Sequence, residues 1–129
     1  MSENITRVEP DHQRLRVSYA KGEALKYISH LDLARAWERL FRRARLPLVY
    51  SQGFSPHPRF ALGAALPVGV IGSAEVMDIW LTASLPPEEV AARLTEQSPP
   101  SLVINRIWEV ALNLRYKELL ADLAEESGK

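Results

Sequence analysis

One stretch decides the fold of this chain, residues 26–60, which reads KYISHLDLARAWERLFRRARLPLVYSQGFSPHPRF. It begins with a helix-capping signal, continues through an amphipathic segment with arginines on its outer face, and ends in a loop that contains two prolines. This order predicts a helix followed by a rigid loop that carries a histidine. The stretch contains no catalytic constellation, so it points to a fold and a charged surface rather than to a reaction.

The helix is predicted to begin at Ser29, whose hydroxyl can cap the first turn, with Asp32 three residues later as a carboxylate variant of the capping box. Pro47 is expected to stop the helix, because the residue before a proline disfavours α geometry. An apolar stripe with helical spacing is formed by Leu33, Ala34, Trp37, Leu40, Phe41 and Ala44. The opposite face carries Arg35, Arg39, Arg42 and Arg43, with Glu38 as its only acid.

Alternation of apolar and polar residues predicts a half-buried strand over 14–20. Its buried face would be Leu15, Val17 and Tyr19, and its exposed face Arg14, Arg16 and Ser18. The further predicted elements are a short strand over 48–51, an irregular edge segment or hairpin over 59–72, a strand over 75–82, a helix opened by Pro86 and Pro87, an extended segment over 102–108 and a closing helix over 112–124.

The predicted order is therefore β-α-β-β-α-β followed by a helix. Two β-α-β halves of similar length favour an α+β class, specifically a ferredoxin-like split βαβ sandwich with an added C-terminal helix. Residues 1–13 are polar and contain Pro10, so we expect a flexible N-terminal lead-in before one domain over 14–129.

The composition excludes several kinds of site. The chain has no cysteine, which excludes disulfides, thiolate zinc sites, a cysteine nucleophile and a cysteine-bound iron–sulfur cluster on this chain. No apolar run reaches the roughly 18 residues of a membrane helix, and the N-terminus lacks the apolar core of a signal peptide. Its three histidines have no shared ligand spacing, so no metal site is expected. A cytoplasmic protein is predicted.

The charge is divided unevenly along the chain although the formal net charge is +0. From Arg14 to Arg59 there are ten Lys and Arg against three Asp and Glu, which leaves this part at +7 and the remainder at −7. Such a basic part could meet phosphate or an acidic protein. The alternative is a helix face that is simply solvated.

The candidate binding residues lie on the helix and in the loop. Arginine is the favoured partner of phosphate because its planar fork donates two hydrogen bonds. The predicted binding residues are Arg35, Arg39, Arg42 and Arg43 on the helix and Gln52, Phe54, His57 and Arg59 in the loop. His57, held between Pro56 and Pro58, and His30, in the first helical turn, are the candidates for acid–base catalysis. The alternative for His57 is a purely structural turn.

Four sequence segments resemble the radical-SAM-linked family of bacterial domains. They are RLRVSY from residue 14, YISHLD from residue 27, LPLVYSQGFSPHP from residue 46 and ALPVGV from residue 65. The resemblance covers roughly residues 14–110 and implies association with a radical-SAM protein and, through the proteins that accompany the family, with RNA. S-adenosylmethionine and the iron–sulfur cluster would then belong to the partner, because this chain lacks the cysteines for a cluster.

Three functional hypotheses follow. The first is a non-catalytic accessory module of a radical-SAM enzyme that presents structured RNA through the arginine helix and the loop. The second is a small acid–base enzyme that uses His57 and His30 on a nucleotide-like or phosphorylated ligand. The third is a protein-docking domain whose basic face binds an acidic partner.

Overall fold

The computed structural model describes residues 11–51, 53–65 and 75–112. Within them, four strands form one antiparallel sheet, and two helices pack against it. The strands are β1 (Gln13–Lys21), β2 (Phe60–Ala65), β3 (Glu75–Leu81) and β4 (Leu102–Val110), and the helices are α1 (His30–Arg43) and α2 (Pro87–Gln97). None of the helices in these ranges has the length and hydropathy needed to span a membrane.

The sheet order is β2-β3-β1-β4, and every neighbouring pair is antiparallel. β1 and β2 therefore run parallel with β3 between them, which is the split βαβ arrangement. The predicted ferredoxin-like α+β fold is confirmed. The predicted C-terminal helix lies outside the described residues, and β1 begins at Gln13, one residue before the predicted start.

The main core lies between the helices and one face of the sheet. Leu15, Val17 and Tyr19 of β1 are fully buried there. Trp37 of α1 packs edge-on against Tyr19, with 4.9 Å between ring centroids, and stacks on Phe41 at 5.6 Å. The apolar stripe predicted for α1 is thus the face that α1 buries, and rings packed in this way stabilise a core beyond their burial alone.

Both ends of α1 are set by local sequence. Ser29 caps the first turn as predicted, because its Oγ accepts a hydrogen bond from the Asp32 N–H at 3.1 Å. The helix ends before Pro47, through two bonds typical of a Schellman motif: Arg45 N–H donates to the Arg42 carbonyl at 3.1 Å and Leu46 N–H to the Phe41 carbonyl at 3.2 Å. This motif requires left-handed backbone at Arg45, where φ is 55°.

The prediction of an exposed polar face on β1 is wrong. Arg14, Arg16 and Ser18 are all buried, and Arg16 is 0% exposed. The reason is Asp78 on the neighbouring strand β3, itself 5% exposed, which compensates the charge of both arginines. Both faces of the central strand are therefore covered.

The prediction of a strand over 48–51 is also wrong, because the second strand of the sheet is β2 at Phe60–Ala65. Leu48 and Tyr50 form only isolated bridges, to Leu81 and Pro58. The chain leaves the edge of β3 after Val49 and returns at Arg59, whose N–H donates to the Val49 carbonyl at 2.6 Å. The excursion between these two residues forms the loop that carries His57.

Candidate functional site

The exposed face of α1 carries a row of cations. Arg35, Arg39 and Arg42, called here the arginine row, are all exposed. Arg35 lies 3.7 Å from Asp32 in an exposed pair, and Arg39 and Arg42 form no ion pair with any described residue. Arg43 points elsewhere, since its Nη2 donates to the Gln97 carbonyl of α2 at 3.4 Å. Three of the four predicted helix arginines therefore share one solvent-facing surface.

The loop after α1 is a closed hairpin. Ser51 N–H donates to the His57 carbonyl at 2.9 Å, and His57 N–H donates back to Ser51 Oγ at 3.1 Å. Gly53, with φ of 127°, supplies the backbone conformation that the tip requires. Residues 51 and 53–58 are called here the Phe54 hairpin, because Phe54 stands fully exposed within it. Gln52 lies outside the described residues.

A contact between side chains joins the Phe54 hairpin to α1. His57 Nδ1 lies 3.2 Å from Glu38 Oε1, with the histidine side chain 63% exposed and the glutamate side chain 19% exposed. On a helix, Glu38 is the neighbour of Arg35 at i−3 and of Arg42 at i+4. The contact therefore sets the hairpin directly beside the arginine row.

A shallow, open cavity of about 400 Å³ lies at the base of the Phe54 hairpin. It is lined by residues with aromatic, hydroxyl and imidazole side chains together with aliphatic ones and part of Arg59: Val49, Tyr50, Ser51, His57, Pro58, Arg59 and Phe60. Phe60 is anchored below by an edge-on contact with Phe41, with 5.2 Å between centroids. Apolar walls with a few polar groups are typical of small ligand sites.

The Arg59 side chain lies on the face of the sheet opposite the helices. Its Nη1 lies 2.6 Å from Asp11 Oδ2, and its guanidinium lies over the Trp80 ring at 4.5 Å from the centroid. Arg14 lies over the same ring at 4.8 Å. Trp80 is 8% exposed, so it is a buried platform between two cations and unavailable for stacking on a base.

His30 and His57 are not brought together. His30 is the exposed first residue of α1, whereas His57 contacts Glu38, eight residues or about 12 Å further along the helix axis. An acid–base pair of these two histidines has no geometric support. The described residues also contain no group of three His, Asp or Glu side chains placed to hold a metal ion.

Sequence reasoning missed two arrangements. The first is the Glu38 carboxylate as the partner of His57; Glu38 was visible as the only acid on the arginine face, but nothing in the sequence connects it to a loop 19 positions away. The second is the buried cluster of Asp78 with Arg14 and Arg16. Its only sequence signal was an aspartate in the middle of the apolar run 76–81.

A second group of cations lies between the C-terminal ends of the two helices. Arg43, Arg45 and Arg93 line a shallow cavity of about 340 Å³. Arg93 interacts with groups of both helix regions. Its Nη1 donates to the Arg45 carbonyl, just after α1, at 3.2 Å, and its Nη2 pairs with Glu89 of α2. Cations beside terminal carbonyls are favourable because of the negative end of the helix dipole.

The fold and the site thus define an α+β domain with a basic helix and a hydrogen-bonded hairpin that exposes Phe54. Residues 14–126 match the family described as "Uncharacterized protein conserved in bacteria (DUF2344)", and the chain belongs to this family. No curated protein and no solved structure matches the chain. Family membership therefore names no reaction, and function must be argued from the site.

Proposed function

We propose that this domain is a non-catalytic accessory module of a cytoplasmic radical-SAM enzyme, and that it holds an unpaired segment of a structured RNA. The arginine row would bind phosphates and the Phe54 hairpin would bind bases. S-adenosylmethionine and the iron–sulfur cluster would reside on the partner enzyme. RNA loops are the segments that proteins read most often, because their bases are free to leave the stack.

The observation that carries the proposal is the docking of the Phe54 hairpin onto α1 through His57 and Glu38, 3.2 Å apart. It places the hairpin that carries the fully exposed Phe54 beside the helix that carries three exposed arginines. Sequence-tolerant binding of single strands uses this pairing of a basic track with aromatic platforms. A structural turn gains nothing by exposing a whole phenylalanine to water.

The radical-SAM part of the proposal is supported by sequence resemblance. The motifs SHLD and SQGFSPHP carry it, and in the fold these motifs are the start of α1 and the Phe54 hairpin. One of these motifs thus contributes the Phe54 hairpin, and the other begins the helix that carries the arginine row, although the three arginines themselves lie outside the resembling segments. This coincidence favours a shared role in substrate presentation.

The test is a binding titration with a fluorescein-labelled, U-rich single-stranded RNA, followed by fluorescence anisotropy over a range of KCl concentrations. If the three arginines of the row each meet a phosphate, log Kd should depend on log salt with a slope of magnitude roughly 2. Phe54→Ala should weaken binding by about 1–3 kcal/mol through loss of one stacked base, without a change in this slope.

A charge-matched control separates specific contact from general electrostatics. Arg39→Glu and the double substitution Ala92→Glu with Thr95→Glu change the net charge equally, but the second pair lies on the exposed face of α2. Arg39→Glu should weaken RNA binding several times more than the α2 variant. Equal effects would contradict a localised site, and no RNA binding at all would leave the arginine row as a protein-docking surface.

Association with the enzyme is tested separately, by capture of a tagged copy from its host cytoplasm with and without nuclease. A radical-SAM protein retained after nuclease treatment is the expected result. Its loss under nuclease would mean that RNA alone connects the two proteins, and its absence in both samples would contradict the accessory role.

A further inference from the structure

The cavity at the base of the Phe54 hairpin has the size and lining of a site for one nucleotide. Its volume of about 400 Å³ lies within the roughly 300–1,000 Å³ of small ligand sites. Tyr50 and Phe60 provide aromatic surface, and Ser51 and His57 provide polar groups. One of its lining residues, His57, also makes the contact that joins the hairpin to Glu38 of α1.

The Glu38 contact determines which nitrogen of His57 can meet a ligand. A carboxylate beside Nδ1 favours the tautomer in which Nδ1 carries the proton, since a neutral imidazole donates from one nitrogen and accepts at the other. In the neutral ring with this tautomer, Nε2 is an acceptor, and the histidine side chain is 63% exposed. Glu38, whose side chain is only 19% exposed, serves as a positioning residue for the ring.

We propose that this cavity binds one ribonucleotide of the RNA segment and that His57 recognises its ribose 2′-hydroxyl through Nε2. This inference rests on the proposed function and adds a chemical specificity to it. The 2′-hydroxyl is the group by which a protein distinguishes RNA from DNA at a given position. The arginine row and Phe54 cannot make that distinction, because phosphates and bases occur in both polymers.

The experiment compares three labelled oligonucleotides with identical bases: RNA, DNA with deoxyuridine in place of thymidine, and RNA with 2′-O-methyl groups. The wild-type protein should prefer RNA over both others by about fivefold, the effect of one neutral hydrogen bond on affinity. The methylated strand tests the direction of the bond, since it keeps an acceptor oxygen and loses the hydroxyl proton that Nε2 would accept.

Variants assign the preference to His57. His57→Ala should bind RNA and DNA equally, and Glu38→Gln should reduce the RNA preference, because an amide can either accept from Nδ1 or donate to it and so no longer selects one tautomer. Phe54→Ala is the matched control from the same hairpin; it should weaken RNA and DNA binding alike and leave their ratio unchanged. If thermal melting shows His57→Ala to be unfolded, the RNA-to-DNA ratio of Glu38→Gln decides.

The outcomes separate this inference from the proposed function. Absence of RNA binding by the wild type would overturn both. Salt-sensitive binding with equal affinity for RNA and DNA would overturn only the 2′-hydroxyl site. A preference that persists in both His57→Ala and Glu38→Gln would exclude His57 as its source.

Discussion

Substitution Asp78→Asn should destabilise this protein more than any single change on its surface. The Asp78 carboxylate is 5% exposed and accepts hydrogen bonds from two arginines. Arg14 approaches it through Nη2 at 2.6 Å and Nε at 2.8 Å, and Arg16 through Nε at 2.8 Å and Nη2 at 3.1 Å. An asparagine keeps the shape of the side chain, but it carries no charge and turns one acceptor into a donor that faces guanidinium groups.

The expected cost follows from burial. Removing one member of a buried ion pair typically costs about 3–5 kcal/mol, because the opposite charge stays in the interior without compensation. Arg14 and Arg16 also make other contacts, which places the expected loss near the lower end, at about 3 kcal/mol. This is a large part of the roughly 5–15 kcal/mol that holds a typical domain together.

Urea unfolding, followed by tryptophan fluorescence and circular dichroism, measures this loss. With a urea dependence of about 1.5 kcal/mol per molar, the midpoint of Asp78→Asn should fall by about 2 M. The matched control is Glu23→Gln, which breaks an exposed pair with Lys26 at 3.9 Å and should leave the midpoint unchanged. A midpoint for Asp78→Asn equal to that of the control would refute the inference that Asp78 stabilises the buried charges of Arg14 and Arg16.

Three other substitutions test the fold. Arg45→Gly should raise the free energy of unfolding by about 1 kcal/mol in the same urea assay, because glycine adopts the left-handed backbone at φ 55° without a steric penalty. Gly63→Ala should lower it by about 1–3 kcal/mol, since the new Cβ would lie 3.0 Å from Val76 Cγ2 and 3.1 Å from its carbonyl oxygen. Burial, with Glu75 nearby, raises the pKa of Tyr19 above its ordinary value. The folded protein therefore keeps this proton at pH values where the unfolded chain loses it, so stability should decline above about pH 10, and Tyr19→Phe should remove that part of the decline in urea titrations between pH 8 and 11.

Each of these has a clear contrary result. A lower urea midpoint for Arg45→Gly would mean that the arginine side chain contributes more to stability than its backbone strain costs. An unchanged midpoint for Gly63→Ala would mean that β2 can move away from Val76. Identical alkaline profiles for Tyr19→Phe and the wild type would show that the phenol is not the group that resists ionisation.

The helical part of the fold was predictable because its signals are local. The six apolar positions of α1 recur with helical spacing, and the Ser29 cap lies immediately before them. Strand order followed from the rule that β-α-β units join right-handedly, which leaves few topologies for this succession of elements. The position of β2 was predictable only in part: the glycines and prolines within 59–72 indicate an irregular edge segment, and β2 is an edge strand with a register shift, but the strand itself was expected at 48–51.

The candidate site was predictable only in part. Arginines on one helix face and a proline-bounded loop are visible in the sequence, but their contact depends on a pair, His57 and Glu38, that is 19 positions apart. The prediction for β1 missed the buried cluster of Asp78, Arg14 and Arg16 for the same reason. Arg16 was expected to face solvent because alternation shows which residues share a face of a strand but not what covers that face. Its partner Asp78 lies 62 positions away on another strand.

The measurement that tests the central claim most directly is photocrosslinking of a 4-thiouridine-labelled RNA to the wild-type protein, followed by trypsin digestion and mass spectrometry. Trypsin cuts after Arg45 and Arg59, so the whole Phe54 hairpin falls within one peptide, residues 46–59. The account predicts that the RNA adduct is on this peptide and disappears in Phe54→Ala. Adducts confined to other peptides, or no adduct at low salt, would contradict it.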